Sequence, residues 1–292
     1  MLPTRGRPQW AQRMFDSLAA HTTRPEDLEV VLYLDDDDRM SHDLGHEDFS
    51  VVKIIGPRAS MGTYNTACLN RASGDIVILM NDDVVVGTPG WDSAVIELAA
   101  AVPDGIYLAY ANDLHMGKRM CAFPVLTRKA CEVMTRPYPE EYQAGFIDWH
   151  LFDVFKRLKR MGDDRIFYLE QVVFEHRHYM AGKAEMDATY RINEYYADDW
   201  TFVALRHLRQ MTAERLQAFI AGRPLPELPR THGVGNRSSS AWRALLCYAS
   251  VFLLDSALPV SERMRLWVWL TGRYLRSQGY LPPKQPLRKA DQ

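Results

Sequence analysis

The apolar positions of the chain gather in short runs, two of which stop on acids. Residues 76 to 80 (Ile, Val, Ile, Leu, Met) follow Gly74 and Asp75 and end at Asn81, Asp82 and Asp83. Such a run, rich in β-branched types and without polar alternation, predicts a strand buried on both faces of a helix-covered sheet. Residues 28 to 34 form a second run, ending at Asp35, Asp36, Asp37 and Asp38, and residues 51 to 55 a third. Helical spacing lies between them, at residues 9 to 21 with Trp10, Met14, Phe15 and Leu18 on one face, and at residues 64 to 71. Strands alternating with helices, with acids at strand ends, predict an α/β protein whose ligands collect at one sheet edge.

The later pattern continues in kind. A helix is predicted over residues 93 to 102, strands over 106 to 110 and 120 to 126, and a helix from Thr127 to Met134. Ile147, Leu151, Val154, Phe155, Leu158 and Met161 make one apolar helical face, with Asp148 in the first turn and off that face. A strand is predicted over 165 to 175. His176 and His178 follow it at a spacing of two, so their imidazoles face the same way. Residues 199 to 221 predict one amphipathic helix, and the proline-rich residues 223 to 229 mark a boundary between a domain of residues 1–230 and a helical segment of residues 231–292. Two helices, over 241 to 254 and 261 to 276, are expected there.

At the carboxyl end of a buried strand, the adjacent carboxylates of Asp82 and Asp83 suit a hard divalent cation, which could carry a phosphate. The competing reading is a polar turn, since Asn and Asp bond their own backbone. The run is not a calcium-binding EF-hand loop, which needs alternating acids and a distal Glu.

Composition narrows the class. With 47% hydrophobic and 25% charged residues in 292, the chain reads as an ordinary soluble globular protein. A net charge of -2 gives no reason to expect nucleic acid. The charge is uneven, however: from Asn236 onward nine basic side chains face three acidic ones, +6, against -8 for the remainder. A basic tail on an acidic body points to an anionic surface or partner for the tail. Cys68, Cys121, Cys131 and Cys247 lack metal or redox spacing and read as reduced, buried thiols of a cytoplasmic protein. Met1 is followed by Arg5 and Arg7 and by no apolar stretch, so no signal peptide is expected. The apolar run at 245 to 254 is far shorter than the ~20 residues of a membrane span.

Taken in order, the segment Thr4, Arg5, Gly6, Arg7, Pro8, the acidic stop at Asp35 and Asp36, the helix start with Gly62 and Asn65, the residues 72 to 75, and the Asn81, Asp82, Asp83 ending resemble the nucleotide-sugar-binding half of family 2 glycosyltransferases. The resemblance spans roughly residues 2 to 180. It implies a GT-A type, Rossmann-like mixed sheet flanked by helices, here with a C-terminal helical appendage. One departure is visible: the apolar residues that usually precede the Leu2, Pro3, Thr4 segment are not in the sequence, so either the start is placed too late or most of a first central strand is expected to be lacking.

The resemblance also implies roles. Thr4 with Asp35 or Asp36 would hold the base of a UDP- or dTDP-sugar. Arg5, Arg7, Arg58 and Lys183 would meet the diphosphate, and Asp82 the sugar or ribose. Asp83, with His176, would bind Mn²⁺ or Mg²⁺. Asp37 and Asp38 are expected to be solvated. Asp148 would be the base of an inverting transfer, though an acid in the first turn of a helix also simply satisfies its backbone donors. The residues 180 to 199 would form a flap over the donor. The acceptor implied is a glycan or lipid-linked precursor in polysaccharide biosynthesis. The C-terminal helices, mixing Trp242, Trp267, Trp269 and Tyr274 with arginines, would pack on the protein, join a homodimer, or lie peripherally on the inner face of a membrane. Two other classes stay open: a nucleotidyltransferase, of whose phosphate loop the Thr4 to Arg7 segment is a faint echo, and a non-catalytic sugar-nucleotide-binding scaffold.

Overall fold

A computed structural model describes residues 1–178, 182–183, 196–228 and 241–282. Three parallel strands open the chain: β1 (Leu2–Thr4), β2 (Glu29–Asp35) and β3 (Ser50–Gly56), in the order β1-β2-β3. Between them run α1 (Pro8–His21) and, after β3, α2 (Met61–Arg71). Pro8 opens α1, where its missing N–H costs nothing, and the Ser60 hydroxyl caps α2 by accepting from the Thr63 amide. Gly62 is required by contact, because a Cβ there would lie 2.0 Å from the Pro139 carbonyl oxygen.

The first strand is short, three residues. Leu2 pairs with Leu32 and Thr4 with Leu34. The Met1 amine donates to the Ile78 carbonyl at 2.8 Å and the Met80 amide to the Met1 carbonyl at 3.0 Å. Those two bonds join the parallel sheet to β4 (Ile76–Ile78).

From β4 the second sheet runs in the order β4-β7-β6-β8-β5, with β5 (Val84–Val86), β6 (Leu108–Asn112), β7 (Val125–Thr127) and β8 (Ile166–His176). Only the β6–β8 pairing is parallel. The strand expected over 120 to 126 shrinks to β7, since Pro124 has no N–H for a ladder and its carbonyl accepts from the Leu79 amide at 3.0 Å. β5, three valines directly after Asp83, is too short for its alternation to show in the sequence.

Helices α3 (Trp91–Ala101), α4 (Arg128–Met134) and α5 (Ile147–Arg160) cover the sheet. The helix expected over 199 to 221 is two, α6 (Asp199–Ala204) and α7 (Arg206–Ile220). The Arg209 guanidinium takes the Phe202 carbonyl at 2.6 Å, an oxygen that a continuous helix would offer to the Arg206 amide.

The last two helices, α8 (Ala241–Leu253) and α9 (Val260–Ser277), share a core with α5 and α7. Tyr248, Phe252, Leu270 and Tyr274 pack into the same cluster as Leu151, Phe155 and Leu216. Asp255, between α8 and α9, is fully buried and accepts from Arg157 at 2.7 Å and Arg206 at 2.8 Å. Burial alone would raise its pKa, but the two guanidiniums hold it at about 2. No helix among the described residues is long and apolar enough to cross a membrane.

Candidate active site

The strand ends deliver the carboxylates to one edge. Asp82, 7% exposed, accepts from the Thr4 hydroxyl at 2.7 Å and from Arg7 Nη1 at 3.2 Å. Burial, reinforced by the neighbouring Asp83, pushes its pKa up to about 6 despite Arg7 and Thr4. Arg7 is itself buried and lies over the Trp10 ring, 4.6 Å from its centroid. Thr4, Arg7 and Asp82 thus come together as one buried group.

Asp83, 2% exposed, lies 3.3 Å from His176 Nε2. The backbone explains the pairing. At the junction of Ala111 and Asn112 the β6–β8 register jumps from Ala111 opposite Leu169 to Asn112 opposite Val173, and the end of β8 swings onto β5. Val84 then faces His176, and the Arg177 amide donates to the Asp83 carbonyl at 2.8 Å. Burial would lower the His176 pKa, but the hydrogen bond and charge of Asp83 outweigh it and raise it. The rings of His176 and His178 are 5.1 Å apart, as their spacing predicts. Burial, aided by His176, pushes His178 down to about 4.

One carboxylate and one imidazole side by side form an oxygen and nitrogen donor set that fits Mn²⁺ better than Mg²⁺, which prefers oxygen alone. Among the described residues no three His, Cys, Asp or Glu side chains converge on one point. A cation held by Asp83 and His176 would need its remaining ligands from a bound diphosphate or water.

The other expected contacts are arranged differently. Asp35, 2% exposed, accepts from Tyr64 OH at 2.6 Å and Arg5 Nη1 at 2.6 Å. Arg5 also pairs with Asp37 through both nitrogens, so it braces the acidic turn. Asp36 is exposed, with its amide bonded to the Gly56 carbonyl. Asp38 corrects the expectation of a solvated turn: it is 8% exposed and accepts from the Gly6 amide at 2.7 Å and the Ser41 hydroxyl at 2.6 Å. A carboxylate among backbone donors of the Thr4 to Arg7 loop has more to gain there than in water. Arg58 is exposed in the loop after β3, and Lys183 pairs with Glu175 at 3.0 Å. Most of the flap expected over residues 180 to 199 lies outside the described residues, Asp187 included.

Asp148 stands in the first turn of α5, its Oδ1 accepting from the Trp149 amide at 2.7 Å. Beneath it the Cys121 thiol donates to its carbonyl at 3.1 Å. Burial raises its pKa to about 6, with the Trp149 amide and His176 opposing. At neutral pH the carboxylate is ionised yet a stronger proton acceptor than one in water. The turn before it is strained, with Phe146 at φ 65°. The Phe146 and Trp149 rings rest on Trp269 of α9, 5.4 and 4.5 Å between centroids.

Asp113, just after β6 and not among the expected site residues, is 1% exposed and borders His176. Its signal was available, since an apolar strand ending in Asn112 and Asp113 repeats the pattern of residues 76 to 83.

This is the GT-A fold of glycosyltransferases. Among solved structures, that of S. aureus TarS 1-349 in complex with UDP-GlcNAc superposes with a TM-score of 0.50 at 12% identity, over 95% of this chain and 90% of that one. Mannosyltransferase PcManGT from Pyrobaculum calidifontis, in complex with GDP-Man and Mn²⁺, gives 0.47 at 14% identity over 95% and 85%. Glucosyl-3-phosphoglycerate synthase from Mycobacterium tuberculosis, in complex with Mn²⁺, UDP-Glc and glycerol 3-phosphate, gives 0.42 at 17% over 76% and 79%. No protein-family model and no curated protein sequence matches the chain.

Proposed function

We propose that the protein is a metal-dependent, inverting glycosyltransferase that uses a UDP- or dTDP-sugar. The observation that carries this reading is the pairing of buried Asp83 with half-buried His176, near a carboxylate, Asp148, whose pKa is raised to about 6. In this reading Asp83 and His176 would hold Mn²⁺, which would supply positive charge against the departing diphosphate. Thr4 and Arg7 fix Asp82, leaving the exposed Asp36 to accept from the base. Arg58 and Lys183 would meet the phosphates in this reading. The fold shared with TarS, whose structure contains UDP-GlcNAc, supports a nucleotide-sugar donor.

Asp148 takes the proton of an acceptor hydroxyl as that oxygen bonds to the anomeric carbon. The bond from that carbon to the β-phosphate oxygen breaks, and the nucleoside diphosphate leaves with the electron pair. One displacement inverts the anomeric centre.

We read the acceptor as a glycan or lipid-linked precursor. The support is the outer side of α8 and α9, where Trp242, Leu246, Leu254, Val260 and Val268 are each at least 60% exposed amid a surplus of arginines. That combination suits an anionic membrane surface.

Calorimetric titration with UDP, dTDP, GDP and CDP, each with and without Mn²⁺, tests the donor class. Tight binding of UDP or dTDP only with Mn²⁺ is expected, and no binding of any of the four by folded protein would overturn the nucleotide-sugar reading. Product analysis should find released nucleoside diphosphate, whereas pyrophosphate would mean nucleotidyl transfer.

A further inference from the structure

Asp113 sits in a loop that the chain builds at some cost. Its Oδ1 accepts three backbone N–H groups, from His115 at 3.0 Å, Met116 at 2.8 Å and Gly117 at 2.7 Å. The Asn112 side chain holds the Leu114 amide at 3.1 Å, and Leu114 adopts φ 53° with its side chain 51% exposed. The Asp113 carbonyl accepts from the amide of His176 at 3.1 Å, which ties the loop to the candidate metal residue. Against this, Oδ2 of Asp113 is buried and meets no donor among the described residues. A buried carboxylate oxygen left without a donor calls for a ligand, because a polar atom taken out of water without a hydrogen bond carries a desolvation cost.

The chemistry of the surroundings restricts that ligand. Among the described residues no three ligating side chains converge on one point. A diphosphate would be repelled by the carboxylate. A neutral hydroxyl donor is not, and a hexose presents several beside the phosphate that carries it. We propose that Asp113 is a specificity-determining residue whose Oδ2 accepts a hydrogen bond from a hydroxyl of the donor's sugar ring. This rests on the glycosyltransferase reading and names which part of the donor this carboxylate recognises. A hydrogen bond to a charged group makes the sugar's presence count, and a sugar lacking a hydroxyl at that point leaves the oxygen bare.

The full chain is titrated, in Mn²⁺, with UDP, UDP-glucose and UDP-N-acetylglucosamine and with dTDP and dTDP-glucose, as wild type, Asp113→Asn and Asn112→Ala. Asparagine keeps one oxygen for the backbone amides and changes the charge. In Asp113→Asn the ratio of sugar-nucleotide to nucleotide dissociation constants should rise about tenfold or more for the sugar that wild type binds best, with nucleotide binding unchanged. Asn112→Ala loosens the same loop and leaves the carboxylate, so its ratio should stay at the wild-type value. An unchanged ratio in Asp113→Asn overturns the proposal. So does a joint loss of nucleotide and sugar-nucleotide binding, or an equal shift in Asn112→Ala, since each marks a structural role. A wild type that binds neither diphosphate overturns the glycosyltransferase reading itself, an outcome distinct from these.

Discussion

Asp82 and Asp83 are held by groups at strand ends, Thr4 at the end of β1 and His176 at the end of β8, so the sheet alone brings the proposed metal and donor side together. Asp148 is held from farther away. Its helix, α5, is anchored by Arg157, which binds Asp153 at 2.8 Å and Asp255 at 2.7 Å, and its first turn leans on Trp269. Residues more than a hundred positions later thus stabilise the candidate base, while Thr4, Arg7, Asp82, Asp83 and His176 all lie before residue 180. The two halves of the site should therefore fail separately.

The largest effect expected is in Asp83→Ala, which should abolish Mn²⁺-dependent nucleotide binding in calorimetry while leaving the fold intact by circular dichroism. Full activity of this variant in the presence of EDTA would remove the metal assignment. Asp148→Asn should lower turnover by about 10²–10⁴-fold, the span of general base catalysis, with nucleotide affinity unchanged. The same variant should unfold at a higher temperature at pH 7. Asp148 has a folded pKa of about 6 against 3.8 unfolded, so its contribution to stability is greatest below pH 3.8 and is lost as pH rises through 6. A neutral asparagine removes that loss. In wild type, turnover should fall as pH drops through about 6 and Asp148 takes up a proton.

Next in size, Asp255→Ala leaves Arg157 buried without one of its two carboxylates and should destabilise the protein by about 3–5 kcal/mol in urea titrations. Smaller again, Trp269→Ala should reduce turnover several-fold while nucleotide binding stays at the wild-type value. Equal losses of both in Trp269→Ala would break the separation between the two sides.

The sequence made one side more legible than the other for the same reason. Asp82, Asp83 and His176 sit at the ends of apolar runs, where local pattern and position coincide. Asp148 could be placed in the first turn of a helix, but nothing local announces Trp269 or Asp255 as its support, since burial between distant segments has no period. Asp38 shows the same limit in reverse: four acids in a row suggested a solvated turn, and the loop from Thr4 to Arg7 folds back to bury one of them. The break between α6 and α7 depends on Arg209 reaching Phe202, a side-chain contact invisible to periodicity.

The most direct test of the central claim is the rate of sugar transfer and the Mn²⁺-dependent nucleotide affinity of Asp148→Asn, measured on one preparation. The account predicts that transfer collapses while affinity holds. Transfer at the wild-type rate, with affinity intact, would contradict it.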